Sequence, residues 1–211
     1  MSDINTLSSR PLLKISPHRI SSPLSNATIE ENNVLTHELS ESQKQSSSTN
    51  TDVDPDMLAV LYFGQSDSSL RTALIKNVTT QDIALILFSK QEQLWHWLDT
   101  TSSVRNVFVI IQANMNIAYI LYRIHAYFSV RSIFLRCKTN ELNSFKELRT
   151  FYIKINGIYD EDARILIKLV IELALFSEEK GDQDRENRNN ELGAQRNYQR
   201  ALNLCALVRT L

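Results

Sequence analysis

From Leu58 onward, short apolar runs alternate with stretches in which apolar residues return every three or four positions. Leu58-Ala-Val-Leu-Tyr-Phe63 ends at Gly64, and Ile83–Phe88, Val107–Ile111 and Val130–Cys137 repeat the pattern. A fifth, poorer run spans Phe151–Ile155, with an extension through Gly157-Ile-Tyr159. Runs of this length, apolar at nearly every position and rich in Val, Ile and Phe, suit strands covered on both faces.

Helices are predicted between the runs. Ser66–Val78 opens on Ser and Asp caps and carries Leu70, Leu74 and Val78 at helical spacing. Lys90–Leu98 is short and holds Leu94, Trp95, Trp97 and Leu98. Asn116–Phe128 aligns Ile117, Ile120, Leu121, Ile124 and Phe128 on one stripe. Thr139 or Asn140 caps a helix through Leu142, Phe145 and Leu148, and Asp160 caps the last one of the domain. Five β-α units in succession predict a five-stranded parallel sheet with helices on both faces, in the order 2-1-3-4-5. This is the receiver- or flavodoxin-like three-layer sandwich, placed over residues 57–177.

Two further features frame that domain. Residues 1–56 are rich in Ser, Asn, Thr and Gln, with apolar residues scattered without period. Such a segment offers too little apolar surface to offset its ordering entropy, so a disordered tail is expected. Its Ser16-Pro17 and Ser22-Pro23 dipeptides read as chance in a serine-rich tail, with proline-directed phosphorylation as the alternative. At the other end, Ile165–Phe176 is apolar almost all round, broken only by a stripe of Lys168 and Glu172 after Arg164. A helix of that kind must be covered on two sides. The polar stretch Glu178–Glu191 follows. A second helix then repeats Ala194, Tyr198, Ala201, Cys205 and Val208 at steps of four and three, a packing seam. Residues 178–211 are therefore expected to form a helical hairpin extension in which Leu192–Leu211 folds back antiparallel onto Ile165–Phe176. Tyr198 and Ala201 would sit in that contact. A partner subunit on the same face is the alternative.

Composition narrows the function. The formal net charge is -1, so no global attraction to nucleic acid or acidic membranes is implied. Two cysteines, Cys137 and Cys205, make neither a disulfide framework nor a metal spacing. They read as reduced, packed thiols of a cytoplasmic protein. No apolar stretch approaches the roughly 20 residues of a membrane span.

In a doubly wound sheet, ligands sit at the carboxyl ends of the strands. Those ends carry Gly64-Gln-Ser-Asp-Ser-Ser69, Ser89-Lys90, Gln112-Ala-Asn114 and Lys138-Thr139. A phospho-acceptor receiver needs an Asp at the end of strand 3 and acidic residues after strand 1, because Mg²⁺ takes hard oxygen ligands. Strand 3 instead ends in Gln112, and no Asp or Glu occurs between Asp99 and Glu141. The same gap argues against a TIR-type NAD hydrolase. Neither G-x-x-x-x-G-K-[ST] nor G-x-G-x-x-G is present. Gly64, Gln65, Ser66 and Ser68 could hold a phosphate on backbone N–H groups, against the default of a plain helix cap. Trp95 and Trp97 flank His96 and are candidates for an interaction patch or for core packing. Tyr198 and Ala201 are the other interaction candidates. Arg105, Arg123, Arg131, Arg136, Lys138 and His125 make the acid-free middle locally basic, with a solvated surface as the default.

The elements Phe88…Trp95/Trp97, Val107-Phe-Val-Ile-Ile111, Ile124-His125, Ser132-Ile-Phe-Leu-Arg-Cys137 and Lys154-Ile-Asn-Gly-Ile-Tyr159 resemble a receiver-like N-terminal domain. That domain occurs in a family of invertebrate (rotifer-type) multidomain proteins. There it precedes an arginine-type ADP-ribosyltransferase domain or tetratricopeptide repeats. The likeness covers about Met57–Phe176. Ala194, Tyr198 and Ala201 resemble the second helix of such a repeat, and Gly181 the turn-proximal glycine of the first.

These features predict a non-catalytic, degenerate receiver-like module for protein interaction or regulation. No catalytic residue, metal or cofactor is expected. The partner is a protein, or a second copy through the last helices; membrane and nucleic acid are not expected. The competing reading is a phosphate- or nucleotide-binding domain, or a fragment of an ADP-ribosyltransferase-type multidomain enzyme.

Overall fold

The computed structural model describes residues 57–101, 106–113 and 116–211. Strands β1 (Leu58–Phe63), β2 (Ala84–Phe88), β3 (Asn106–Gln112), β4 (Val130–Arg136) and β5 (Ile155–Tyr159) form one sheet. Every pairing is parallel and the order is β2-β1-β3-β4-β5. Helices α1 (Ser69–Val78), α2 (Gln91–Thr100), α3 (Ile117–His125), α4 (Leu142–Lys146), α5 (Leu148–Phe151), α6 (Asp162–Asn187) and α7 (Glu191–Val208) complete it. This is the flavodoxin-like sandwich that the apolar runs predict.

Alternation along the strands separates two cores. Ala59, Leu61, Val107, Val109, Ile133 and Leu135 meet the helices α2 and α3 on one face. Leu58, Val60, Tyr62, Phe108, Ile110 and Phe134 meet α1 and α6 on the other. Every residue of β1 is buried, as both faces are covered.

Several expectations are corrected. The fifth strand begins at Ile155, because Phe151 ends α5 and Tyr152 turns back to Leu148. Phe151 and Ile153, whose apolar character suggested a strand, point into solvent at 74% and 84% exposure. Phe128 is fully exposed rather than on the α3 stripe, because α3 stops at His125. Glu161, not Asp160, is the N-cap of α6. The boundary placed at 177/178 falls inside α6, a single helix of 26 residues. The tail 1–56, Arg105 and Asn114 lie outside the described residues.

α6 continues through its polar half because α7 gives it a new floor. The chain reverses at Arg188–Asn190, with Asn189 in the left-handed region at φ 50 and the Asn190 side chain accepting from the Gly193 N–H. Ser177, Lys180, Gly181 and Asp184 stay buried, Gly181 and Asp184 against α7, while Glu, Gln and Arg, good helix formers, face water. Tyr198 lies against Gly181, where a Cβ would come within 2.7 Å of the ring, and its hydroxyl donates to Asp182 at 2.6 Å. Asp184, 3% exposed, accepts from Asn197 at 2.9 Å, and Arg200 joins Asn197 to Asp82.

The hairpin is therefore the one expected, but its seam is rotated. Ala194, Asn197 and Leu204 are buried, Ala201 is half-buried, and Cys205 is exposed, contrary to its reading as a packed thiol. Steps of three and four hold with Leu204 in place of Cys205. Leu204 reaches the α1/α6 core, with Leu207 and Val208 at its margin. Leu204→Ala is expected to cost about 2–5 kcal/mol, and Cys205→Ser less than about 0.5 kcal/mol. Urea denaturation of both variants checks the phase of the seam, and equal losses would refute it.

Candidate functional site

The parity that builds the second core also builds the mouth of the sheet. Tyr62, Gln112 and Arg136 continue the rows of Val60, Ile110 and Phe134, so they reach the strand ends on the face covered by α1 and α6. Those helices start at the same edge and bring in Ser68, Ser69 and Asp162. Together with Cys137, Lys138 and Glu141 they line a cavity of about 190 Å³. That is below the roughly 300–1,000 Å³ of most small-molecule sites.

The polar groups are largely used by one another. The Tyr62 hydroxyl lies 2.7 Å from Ser68 Oγ and donates towards Gln112 Oε1 at 3.3 Å. Gln112 Oε1 also accepts from the Gln65 N–H at 3.0 Å, and its amide nitrogen donates to Gln65 Oε1 at 3.3 Å. Gly64 donates to the Phe88 carbonyl at 3.1 Å. A Cβ at Gly64 would come within 2.5 Å of the Tyr62 hydroxyl, so a glycine is needed for this close approach. Ser68 is the N-cap of α1, accepting from the Arg71 N–H at 3.1 Å, and the Ser66 carbonyl accepts from the Arg71 guanidinium. Of the four phosphate-loop candidates, Gly64 and Gln65 thus have their N–H groups engaged, and Ser68 acts as a cap.

The second half of the mouth is an ion pair. Arg136 Nε donates to Asp162 Oδ1 at 2.5 Å, and the guanidinium also reaches the Cys137 carbonyl. Ser69 donates to the other Asp162 oxygen. Burial works against the Asp162 carboxylate, but the bonds from Ser69 and Arg136 and the Arg136 charge outweigh it and hold its pKa below the ordinary value. Its place in the first turn of α6 favours a negative charge as well. Burial pushes the Tyr62 phenol up, with Ser68 and nearby arginines opposing and Asp162 adding to the rise, so Tyr62 remains a neutral donor. Burial likewise raises the Cys137 thiol, and Glu141 and Asp160 add to it, so no thiolate nucleophile is offered here.

The other candidates lie elsewhere. Trp95, offered for interaction, is 7% exposed and packs in the core beneath the Arg123 guanidinium, 4.5 Å from its ring. Trp97 is half-buried against Phe88, and His96 is exposed. Tyr198 and Ala201 are spent on the α6/α7 contact. Three arginines of the basic stretch carry ion pairs: Arg123 with Asp99, Arg131 with Glu179 and Arg136 with Asp162. Sequence reasoning missed Asp162. The signal was available, because an acid at the start of the helix after β5 must stand at the ligand edge of such a sheet.

Among the described residues no three His, Cys, Asp or Glu side chains gather as a metal would need, and no helix is long and apolar enough to cross a membrane. Comparison with protein-family models, curated proteins and solved structures found no match.

The Arg136–Asp162 pair gives a pH prediction. A lowered folded pKa stabilises the protein above the ordinary aspartate value of about 3.9 and loses that contribution as pH falls through the lower folded value. Asp162→Asn should therefore be less stable than the parent near neutrality, and the gap should close in acid. Thermal melts of both proteins from neutral to acidic pH check this; a gap that widens in acid contradicts it.

Proposed function

We propose that this chain is a non-catalytic, degenerate receiver-like module that acts through protein–protein contact or regulation. The observation that carries this reading is the mouth of the sheet. Where a phospho-acceptor site needs a carboxylate, Gln112 stands, and it is tied to Tyr62 and Gln65. Phosphoryl transfer through that position has no nucleophile, and no carboxylate stands directly after β1 to help hold Mg²⁺. Arg136, which could meet a phosphate, already serves Asp162, whose negative charge repels anions from the same cavity. The resemblance to receiver-like domains of multidomain proteins supports the same role. The cytoplasm suits it, with Cys137 and Cys205 both unpaired.

A thermal-shift screen of the full chain with nucleotides, flavins and NAD, together with incubation with an acyl-phosphate donor and Mg²⁺, tests the proposal. No saturable shift and no phosphoryl label are expected. Saturable stabilisation by any of these ligands, or Mg²⁺-dependent labelling near Gln112, would overturn it.

A further inference from the structure

α6 is covered on two sides of its circumference. Ile165, Leu169 and Phe176 join the core against the sheet, and Gly181 and Asp184 lie against α7. The remaining face carries a stripe of Ile167, Ile171 and Leu175, one helical turn apart. Ile171 is 36% exposed and Leu175 55% exposed. The all-round apolar helix is thus covered on two sides as expected, yet a third side remains open.

Four charges flanking that apolar pair are ordered by sign, while Glu161 and Arg185, which pair within the chain with Arg164 and Asp182, carry the opposite signs. Arg164 and Lys168 stand on the N-terminal side of the apolar pair, and Glu178 and Asp182 on the C-terminal side. Arg164 is 64% exposed, Lys168 36% and Asp182 51%, and Glu178 is exposed too. Lys168 and Glu178 stand equally far along the chain from Leu173, and so do Arg164 and Asp182. The positions of Ile171 and Leu175 obey the same symmetry.

We infer that this face of α6 binds a second copy of the chain, as an antiparallel helix pair whose two-fold axis passes at the level of Leu173. An isologous interface requires a surface complementary to itself after a half-turn. The half-turn sets Ile171 against Leu175 of the partner subunit, Lys168 against Glu178 of the partner subunit and Arg164 against Asp182 of the partner subunit. Each of these contacts occurs twice. A parallel pair would set Lys168 against Lys168 and Glu178 against Glu178, so the charges select the antiparallel arrangement. The intrachain pairs Lys168–Glu172, Arg164–Glu161 and Arg185–Asp182 are surface i,i+4 and i,i+3 contacts of small individual worth, and the Tyr198 hydroxyl and Arg185 both use Asp182 Oδ1, so these contacts do not hold the side chains away from a partner.

This names the partner of the proposed module and so rests on that reading, but it fails separately. Sedimentation of the full chain across the micromolar range should show a reversible dimer. Leu175→Glu should raise its dissociation constant at least about tenfold while leaving the circular dichroism and melting of the protein intact. Lys168→Glu alone and Glu178→Lys alone should each weaken the dimer, and the two together should restore it, since the pair is exchanged across the axis. A chain that is monomeric throughout the range, a dimer indifferent to Leu175→Glu, or a charge exchange that fails to restore would overturn the dimer. None of these outcomes touches the ligand screen, so the non-catalytic reading stands or falls on its own test.

Discussion

The burial of one helix organises this protein. α6 presents its N-terminus to the mouth of the sheet, its middle to Phe108 and Phe134, and its C-terminal half to α7. A helix confined to a sheet face would end near Phe176, where the sheet-facing apolar residues stop. This one runs on to Asn187 because Gly181 fits beneath Tyr198 and Asp184 meets Asn197. The extension is therefore not a separate body tethered to the domain. Leu204 binds it back into the same core that Val60 and Ile110 help to form.

The same helix sets the chemistry of the mouth. Its first turn delivers Asp162 to Arg136, at a place where strand parity has already brought Tyr62 and Gln112 together. An edge that in this fold class is open to ligands is here closed by hydrogen bonds among its own residues. The polar character of the site is retained, but it is turned inward: the bonds from Ser69 and Arg136 lower the Asp162 carboxylate, while burial raises the Tyr62 phenol against the bond to Ser68. Among its polar surface the domain also exposes apolar side chains, including the α6 stripe, and Phe128, Phe151 and Ile153 at the opposite ends of the strands.

The central fold was legible because fully buried strands cannot be written any other way than as near-continuous apolar runs. Strand order followed from the alternation with helices. Several errors occurred where an apolar residue is not buried. Phe151 and Ile153 imitated a strand from the solvent side, and Phe128 imitated the end of a helix stripe. In α7, Leu204 and Cys205 both fit a helical repeat, and only the position of α6 decides which one faces inward. The polar stretch after Phe176 hid a continuous helix, because small and polar residues serve where two helices approach closely. Asp162 was readable in position but not in role, since its partner Arg136 lies on a different element.

Hydrogen exchange along α6 tests this account most directly. If one helix carries both the domain and its extension, the amides of Ser177–Asp184 should be protected to the same order as those of Ile165–Phe176 and should open with them under mild denaturant. Rapid exchange beginning after Phe176, with the first half still protected, would show that the extension is a separate, weakly held unit and would contradict the account.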